Sequence, residues 1–279
     1  MQRKQNIFFL VLLIHLSFLL TGCVSGDLNQ AANKMAARSG LISTDLQANQ
    51  FTLVSWSRIT PPVNLLRVYI EGDGFAWRSR TQPSNNPTPH NPVGLKLAAS
   101  DTAANVLYLA RPCQFLSSPL PRQCQVNMWT NDRFSPAVID AMNEALDQVV
   151  QRYPGVQLDV IGYSGGGNIA ALLAERRRDV RTLRTVAGNL DVAFVNRQHK
   201  VSPMPHALSA MDAAATLRHV PQTHFSGEED TTVPPAVAAR FQQAVGGDCV
   251  RVVRVAGMAH GSDWASVWPA LLAKGVPAC

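Results

Sequence analysis

Short apolar runs alternate with amphipathic stretches along most of the chain. The runs are rich in Val, Ile and Leu, as is typical of strands buried on both faces of a sheet. They lie at residues 65–70, 105–110, 156–161, 180–187, 223–227 and 250–255. Between them, residues 136–150 and 236–245 carry apolar side chains at helical spacing. This alternation predicts an α/β fold with a mostly parallel central sheet and helices on both faces.

The first 50 residues do not share this pattern. Arg3 and Lys4 precede an apolar run at residues 7–20 that is too short for a comfortable membrane span. The sequence Leu-Thr-Gly-Cys that ends at Cys23 resembles the lipobox of bacterial lipoproteins. That resemblance implies lipidation of Cys23, and Val24 in place of Asp implies the outer membrane. The alternative is an ordinary signal peptide with a chance cysteine.

These features divide the chain into a leader, a linker and one domain. We expect a signal peptide at residues 1–22 and a lipid-anchored tether at 23–50, because the latter is polar and weakly periodic. Residues 51–279 are long enough for one α/β domain. Its first stretch, residues 51–58, alternates apolar and polar positions and predicts an edge strand. Residues 189–220 are mixed and are where a cap or lid would be inserted.

The charge and the cysteines narrow the classes of function. The formal net charge is +6, which falls to about +4 without Arg3 and Lys4. Since no basic tract is interleaved with aromatic residues, nucleic acid is not an expected partner. Four cysteines besides Cys23 suggest disulfides in an exported chain. Three pairings are possible, and we favour Cys113–Cys124 and Cys249–Cys279. Neither their spacing nor that of the histidines suggests a metal site.

The run at residues 156–161 leads into Gly162-Tyr163-Ser164-Gly165-Gly166, which fits the pattern Gly-x-Ser-x-Gly. Apolar positions at Ile169, Leu172 and Leu173 predict a helix directly after it. A sharp turn between strand and helix would expose the Ser164 hydroxyl at an electropositive helix N-terminus. The alternative is a glycine-rich turn with a bystander serine.

A nucleophilic serine needs a base and a carboxylate that orients the base. Asp230 follows the run at 223–227 within the pattern Gly-x-x-Asp-x-x-Val-Pro, and His260 follows the run at 250–255. With Ser164, this order resembles the α/β-hydrolase superfamily over about residues 51–279. The resemblance implies a catalytic triad of Ser164, Asp230 and His260. Glu228, Glu229 and Asp191 remain alternative acids.

In that superfamily the loop after a central strand supplies part of the oxyanion hole. Here Glu71-Gly72-Asp73-Gly74 follows residues 65–70, and Glu71-Gly72 replaces the His-Gly of lipase-type loops. The resemblance implies backbone N–H donors from Gly165 and from Asp73 or Gly74. The Asp73 carboxylate is expected to point away or to be solvated, because it would otherwise oppose an oxyanion. A simple tight turn is the alternative.

The resemblance implies a serine hydrolase that cleaves a small-molecule acyl ester through an acyl-enzyme, with a carboxylesterase as the leading hypothesis. The alternatives are a serine peptidase or a thioesterase on the same fold, or a non-catalytic envelope lipoprotein that uses the fold as a binding module. No metal or organic cofactor is expected. The loops at 76–92 and 189–220 are expected to set specificity. Oligomeric state is not predicted.

Overall fold

The computed structural model describes residues 24–279. The predicted signal peptide, residues 1–22, and the lipidation site Cys23 lie outside the described residues. None of the helices within 24–279 has both the length and the apolar character needed to cross a bilayer.

The centre of the domain is an eight-stranded sheet in the order β1-β2-β4-β3-β5-β6-β7-β8. The strands from β4 through β3 to β8 are parallel, and β1 and β2 are attached antiparallel at one end. The strands are β1 Ile42–Ala48, β2 Phe51–Arg58, β3 Leu65–Ile70, β4 Val106–Leu109, β5 Gln157–Tyr163, β6 Val180–Val186, β7 Gln222–Gly227 and β8 Val250–Val255. The predicted mostly parallel sheet is therefore confirmed.

Within residues 24–279, eight α-helices and two 3₁₀ turns precede, connect and follow these strands. The helices are α1 Val24–Arg38, α2 Val93–Ser100, α3 Pro136–Val150, α4 Gly165–Arg176, α5 Val192–Gln198, α6 Ala210–Ala213, α7 Ala236–Val245 and α8 Trp264–Leu272. The 3₁₀ turns are Val126–Trp129 and Ala214–His219. Helices α1, α2 and α8 contact one another, as do α3, α4, α6 and α7. These two groups cover the two faces of the sheet.

Two expectations about the N-terminal part of the domain are wrong. Residues 24–48 are not an irregular tether, because they form helix α1 and strand β1. Ala32 and Ala36 of α1 and Leu46 of β1 are buried in the core. Strand β2 is not at the edge of the sheet, because β1 covers its outer side. The buried face of α1 is made of small alanines in a mostly polar segment, so no large apolar side chains marked this packing in the sequence.

The two favoured disulfides, Cys113–Cys124 and Cys249–Cys279, are both present in the structure. The first closes the loop after β4. The second ties the C-terminal residue to the residue before β8. Both cystines therefore join irregular segments to the ends of strands.

Candidate active site

Parallel strands β3, β5, β7 and β8 bring their carboxyl ends to one edge of the sheet, which we call the catalytic edge. The side chains predicted as the triad all lie on the segments that follow these strand ends. Ser164 follows β5, Asp230 follows β7, and His260 follows β8. Segments far apart in sequence meet here because parallel strands present their carboxyl ends together.

Ser164 occupies the apex of a very tight turn between β5 and α4. Its φ of 51° and ψ of −123° lie in a sparsely populated region of backbone space. A Cβ on Gly162 would lie 2.2 Å from the carbonyl oxygen of Gly166, and one on Gly166 would lie 2.4 Å from that of Ile70. The Gly-x-Ser-x-Gly pattern is therefore required by backbone approach at both glycines.

The three predicted side chains form a continuous hydrogen-bonded chain. Ser164 Oγ lies 2.9 Å from His260 Nε2, and His260 Nδ1 lies 2.8 Å from Asp230 Oδ2. Asp230 is buried, and its Oδ1 accepts hydrogen bonds from the backbone N–H groups of Thr232 and Val233. These donors hold the carboxylate in place.

The alternative acids do not reach His260. Asp191 accepts a hydrogen bond from Phe194 N–H at the start of α5 and forms an ion pair with Arg240. Glu228 and Glu229 are exposed to solvent. Among the acids considered from sequence, Asp230 is therefore the one that contacts the imidazole.

Two aromatic residues fix the backbone of His260, and the sequence patterns did not identify either of them. Tyr163 donates its hydroxyl proton to the His260 carbonyl oxygen at 2.9 Å, and Trp264 Nε1 donates to the same oxygen at 3.1 Å. The Tyr163 ring also lies against the imidazole, with 5.4 Å between centroids. Burial raises the pKa of the Tyr163 hydroxyl above its ordinary value, so it remains a donor.

The predicted oxyanion loop lies beside Ser164. Among the described residues, no carbonyl or side-chain acceptor takes the backbone N–H groups of Asp73 and Gly165. A Cβ on Gly165 would lie 2.0 Å from Asp73 Oδ1, so the Asp73 side chain covers this helix N-terminus. Both N–H groups are thus available next to the Ser164 hydroxyl, as an oxyanion hole requires.

The Asp73 carboxylate is paired with two arginines. Arg111 Nη1 lies 3.1 Å from Oδ1, and Arg133 Nε lies 2.9 Å from Oδ2. Both guanidinium groups also stack on Phe134, 5.1 and 5.0 Å from the ring centroid. Burial alone would raise the pKa of Asp73, but the charges of Arg133 and Arg111 outweigh it and lower that pKa. The side chain is 24% exposed, so the carboxylate is partly solvated as well as paired with two arginines.

Glu71 holds the start of the same loop through four hydrogen bonds. Its buried carboxylate accepts from the backbone N–H groups of Gly72, Gly94 and Leu95 and from the Tyr108 hydroxyl. Burial nevertheless raises the pKa of Glu71 above its ordinary value, because these donors do not fully replace water. The carboxylate thereby ties the end of β3 to the N-terminus of α2.

Gln114, in the loop closed by Cys113 and Cys124, supports the oxyanion loop from behind. Its Nε2 donates to the Gly72 carbonyl oxygen at 3.0 Å, and its Oε1 accepts from Arg111 N–H at 3.0 Å. The motif-based reading missed Glu71, Arg111, Arg133 and Gln114. Their positions after β3 and β4 were the available signal, because β3 lies beside β5 and β4 lies beside β3.

A cavity of about 390 Å³ opens beside Ser164 and His260. Besides these two residues and part of the oxyanion loop, its lining includes Phe75, His90, Asn91, Tyr163, Thr232 and Gly261. The loop at 76–92 therefore contributes to the site, as expected. The segment at 189–220 contributes no lining residue, and the prediction that it forms a cap or lid stays a prediction. That segment instead surrounds a separate cavity of about 540 Å³.

Within residues 24–279, no three His, Cys, Asp or Glu side chains are grouped as they would be around a metal ion.

Comparison with known proteins identifies the fold of this chain and does not identify a substrate. No protein-family profile and no curated sequence matches the chain. An α/β serine hydrolase homologue from Coxiella burnetii superposes with a TM-score of 0.59 at 14% identity, covering 84% of this chain and 97% of the other. A Pyrococcus furiosus esterase gives 0.60 at 12% identity, with 85% and 91% covered.

A third solved structure covers more of this chain. It is a bacterial membrane phospholipase A, which superposes with a TM-score of 0.55 at 15% identity and covers 98% of this chain and 99% of its own. At such identities the likeness establishes architecture alone. The protein therefore has the α/β-hydrolase fold.

The ion pairs of Asp73 predict a pH dependence of stability. Because its folded pKa is lowered, Asp73 stabilises the fold above its unfolded pKa of about 4. That contribution is lost as pH falls through the folded value. We expect Asp73→Asn to be less stable than wild type at pH 7, with a difference that shrinks below about pH 4. Urea unfolding at several pH values measures it.

The matched control for this experiment is Asp45→Asn, which alters an exposed carboxylate on β1. It should leave the pH profile unchanged. A stability gap between Asp73→Asn and wild type that stays constant down to pH 2 would contradict the assignment of the ion pairs.

Proposed function

We propose that the protein is a serine hydrolase that cleaves acyl esters through an acyl-enzyme, with a carboxylesterase as the leading activity. The observation that carries the proposal is the hydrogen-bonded chain from Ser164 through His260 to Asp230. Ser164 and His260 line a cavity, and the nearby backbone N–H groups of Asp73 and Gly165 have no acceptor within residues 24–279. Nucleophile, base, orienting acid and oxyanion donors are the parts that acyl transfer needs.

In the proposed reaction, His260 Nε2 takes the Ser164 proton as Oγ attacks the acyl carbon. The carbonyl electron pair moves onto oxygen, where the N–H groups of Gly165 and Asp73 stabilise the charge. The imidazolium is stabilised by Asp230 and then protonates the leaving alkoxide. Water attacks the acyl-enzyme with His260 again as base, and the acid and free Ser164 are released.

The charge balance around the oxyanion loop supports this assignment. An unpaired carboxylate next to a developing oxyanion would raise the barrier, as Coulomb repulsion is strong in a poorly solvated site. Arg111 and Arg133 compensate Asp73, so its backbone N–H can serve without its side-chain charge opposing the reaction. In this proposal both arginines are positioning residues.

Labelling by a fluorophosphonate probe tests the nucleophile. We expect one adduct per wild-type chain, mapped to Ser164 by mass spectrometry, because the hydroxyl is activated by His260. Ser164→Ala should abolish labelling, and His260→Ala should slow it by about 10²-fold or more. Ser262→Ala, a nearby serine outside the triad, is the control. A folded wild type without adduct would favour the non-catalytic alternative.

A panel of matched acyl esters, thioesters and peptides then separates the hydrolase alternatives. Higher rates on the esters than on the thioesters and peptides would support the carboxylesterase hypothesis. A preference for a thioester or a peptide would replace it with one of the alternatives on the same fold.

Arg111→Lys tests the positioning role. Lysine keeps the charge but cannot contact both the Asp73 carboxylate and the Arg133 carbonyl oxygen, as Arg111 does. We expect kcat for a short-chain p-nitrophenyl ester to fall about 10- to 100-fold, with a smaller change in KM. Arg176→Lys, on an exposed ion pair with Asp140, should leave both unchanged. An unchanged kcat in Arg111→Lys would argue against the role.

We also propose that the leader is removed and Cys23 is lipidated, which anchors the protein in the bacterial envelope and, by the identity of Val24, in the outer membrane. The support is the lipobox-like sequence that ends at Cys23. Intact mass of protein extracted from membranes should equal residues 23–279 plus acyl groups. A mass without acyl groups, or cleavage elsewhere, would contradict the proposal.

A further inference from the structure

Three contacts establish the direction in which α1 crosses the domain. Asn29 Nδ2 donates to the carbonyl oxygen of Phe115, in the loop after β4 at the catalytic edge. Further along, Asn33 Oδ1 accepts from Trp56, which pairs with Tyr108 inside β4. At the C-terminal end, the Ser39 carbonyl oxygen accepts from Arg58, which pairs with Val106 at the start of β4. The N-terminus of α1 therefore lies at the catalytic edge.

This direction fixes where the preceding chain leaves the domain. Val24 begins α1 five residues before Asn29, a rise of about 7.5 Å along a helix. Cys23 directly precedes Val24 in the sequence. A lipid on Cys23 would therefore be attached on the side of the molecule that carries the mouth of the Ser164 cavity.

We propose that the surface at the catalytic edge rests on a lipid bilayer containing anionic phospholipid, so that the Ser164 cavity opens toward the membrane and takes acyl esters from it. This inference rests on the serine hydrolase proposed above. It assigns the partner surface and the substrate class, which the triad alone does not define.

Exposed apolar side chains support this orientation. The described residues contain four exposed large hydrophobic side chains: Ile42, Trp77, Val126 and Val201. Trp77 lies on the loop after β3, Val126 on the loop after β4, and Val201 on the segment after β6. These connections start at the catalytic edge, and Arg80 Nη2 joins the first to the third by a hydrogen bond to the His199 carbonyl oxygen. Trp129 Nε1 likewise joins the second connection to the first by a hydrogen bond to the Ser84 carbonyl oxygen. Exposed apolar side chains on adjoining loops suit an interfacial surface.

Ile42 is the exception and serves as an internal control. It pairs with Ser57, which in turn pairs with Leu107 near the start of β4. Since β4 runs toward the catalytic edge, Ile42 lies toward the opposite edge of the sheet. It is also more exposed than the other three, at 73%.

The charges on the same three connections favour an anionic surface. On the loops that open these connections, residues 71–92, 110–135 and 187–209, the exposed charged side chains are basic: Arg78, Arg80, Arg122, Arg197 and Lys200. In these loops the carboxylates of Glu71 and Asp191 are buried, and Asp73 is paired with two arginines. Exposed carboxylates lie further along the same connections, on helices α3 and α6, and on the loops after β7 and β8: Asp140, Asp212, Glu228, Glu229 and Asp263. Basic side chains close to an anionic membrane surface are attracted to it.

Tryptophan fluorescence can report this orientation directly. Of the five tryptophans, Trp77 is 41% exposed, and the other four are buried at 4% or less. The membrane-extracted full chain, reconstituted into phosphatidylethanolamine–phosphatidylglycerol vesicles, should lose Trp77 emission when brominated phospholipid replaces the ordinary lipid. Trp77→Phe should remove the quenchable component. Equal emission in brominated and ordinary vesicles would overturn the orientation.

Activity tests the substrate class with a matched pair of variants. Val126→Glu/Val201→Glu adds two carboxylates to the proposed surface, and Ile42→Glu adds one toward the opposite edge. On phospholipid vesicles we expect the double variant to be about tenfold slower or more, and Ile42→Glu to match wild type. On a water-soluble p-nitrophenyl ester, all three should have similar rates, because none of these residues lines the Ser164 cavity.

The outcomes separate the two proposals. If neither the soluble ester nor the vesicle lipid is cleaved, the hydrolase proposal itself fails. If the soluble ester is cleaved and the double variant equals Ile42→Glu on vesicles, the membrane-facing surface is refuted while the hydrolase remains. Quenching of Trp77 without any cleavage of vesicle phospholipid would overturn the substrate class.

Discussion

The turn at Ser164 is held by backbone approaches that leave no room for a Cβ at Gly162 or Gly166. The strained φ of Ser164 persists because β5 before it and α4 after it are both buried and fixed in place. A residue keeps such a strained backbone conformation only when the packing around it holds it there. Each other part of the site is arranged relative to this one serine, through β3 and β6 beside β5 and then through β7 and β8.

A second constraint is the handling of charge close to that turn. Two carboxylates, Glu71 and Asp73, lie within the loop beside Ser164, where isolated buried charges would be costly. The two carboxylates are stabilised by different kinds of interaction. Glu71 accepts four hydrogen bonds from neutral donors, whereas Asp73 is paired with Arg111 and Arg133. Those interactions fix the loop on both sides of Gly72. The loop backbone can therefore be rigid although Glu71-Gly72 replaces the His-Gly of lipase-type loops.

The sequence predicted well those parts of the structure that show a regular apolar pattern or carry residue types suited to one chemical role. Buried strands read as continuous apolar runs, and Ser164, Asp230 and His260 follow the ends of three predicted strands, where the structure brings them into hydrogen-bond contact. The prediction failed where the apolar pattern was weak. Helix α1 packs through alanines within a mostly polar segment, so no run of large apolar side chains marks its buried face. The segment at 189–220 has lid-like composition, but composition does not indicate which cavity a segment covers.

By itself, then, the sequence determined the alternation of strands and helices, the glycine-flanked serine and the order of the triad residues. These depend on side-chain period, glycine geometry and the shared catalytic edge of parallel strands. Only the tertiary structure decided that Asp230 contacts His260, that two arginines neutralise Asp73, and that α1 points its N-terminus toward the site. Those facts depend on contacts between residues tens of positions apart, and no local periodicity encodes such distances.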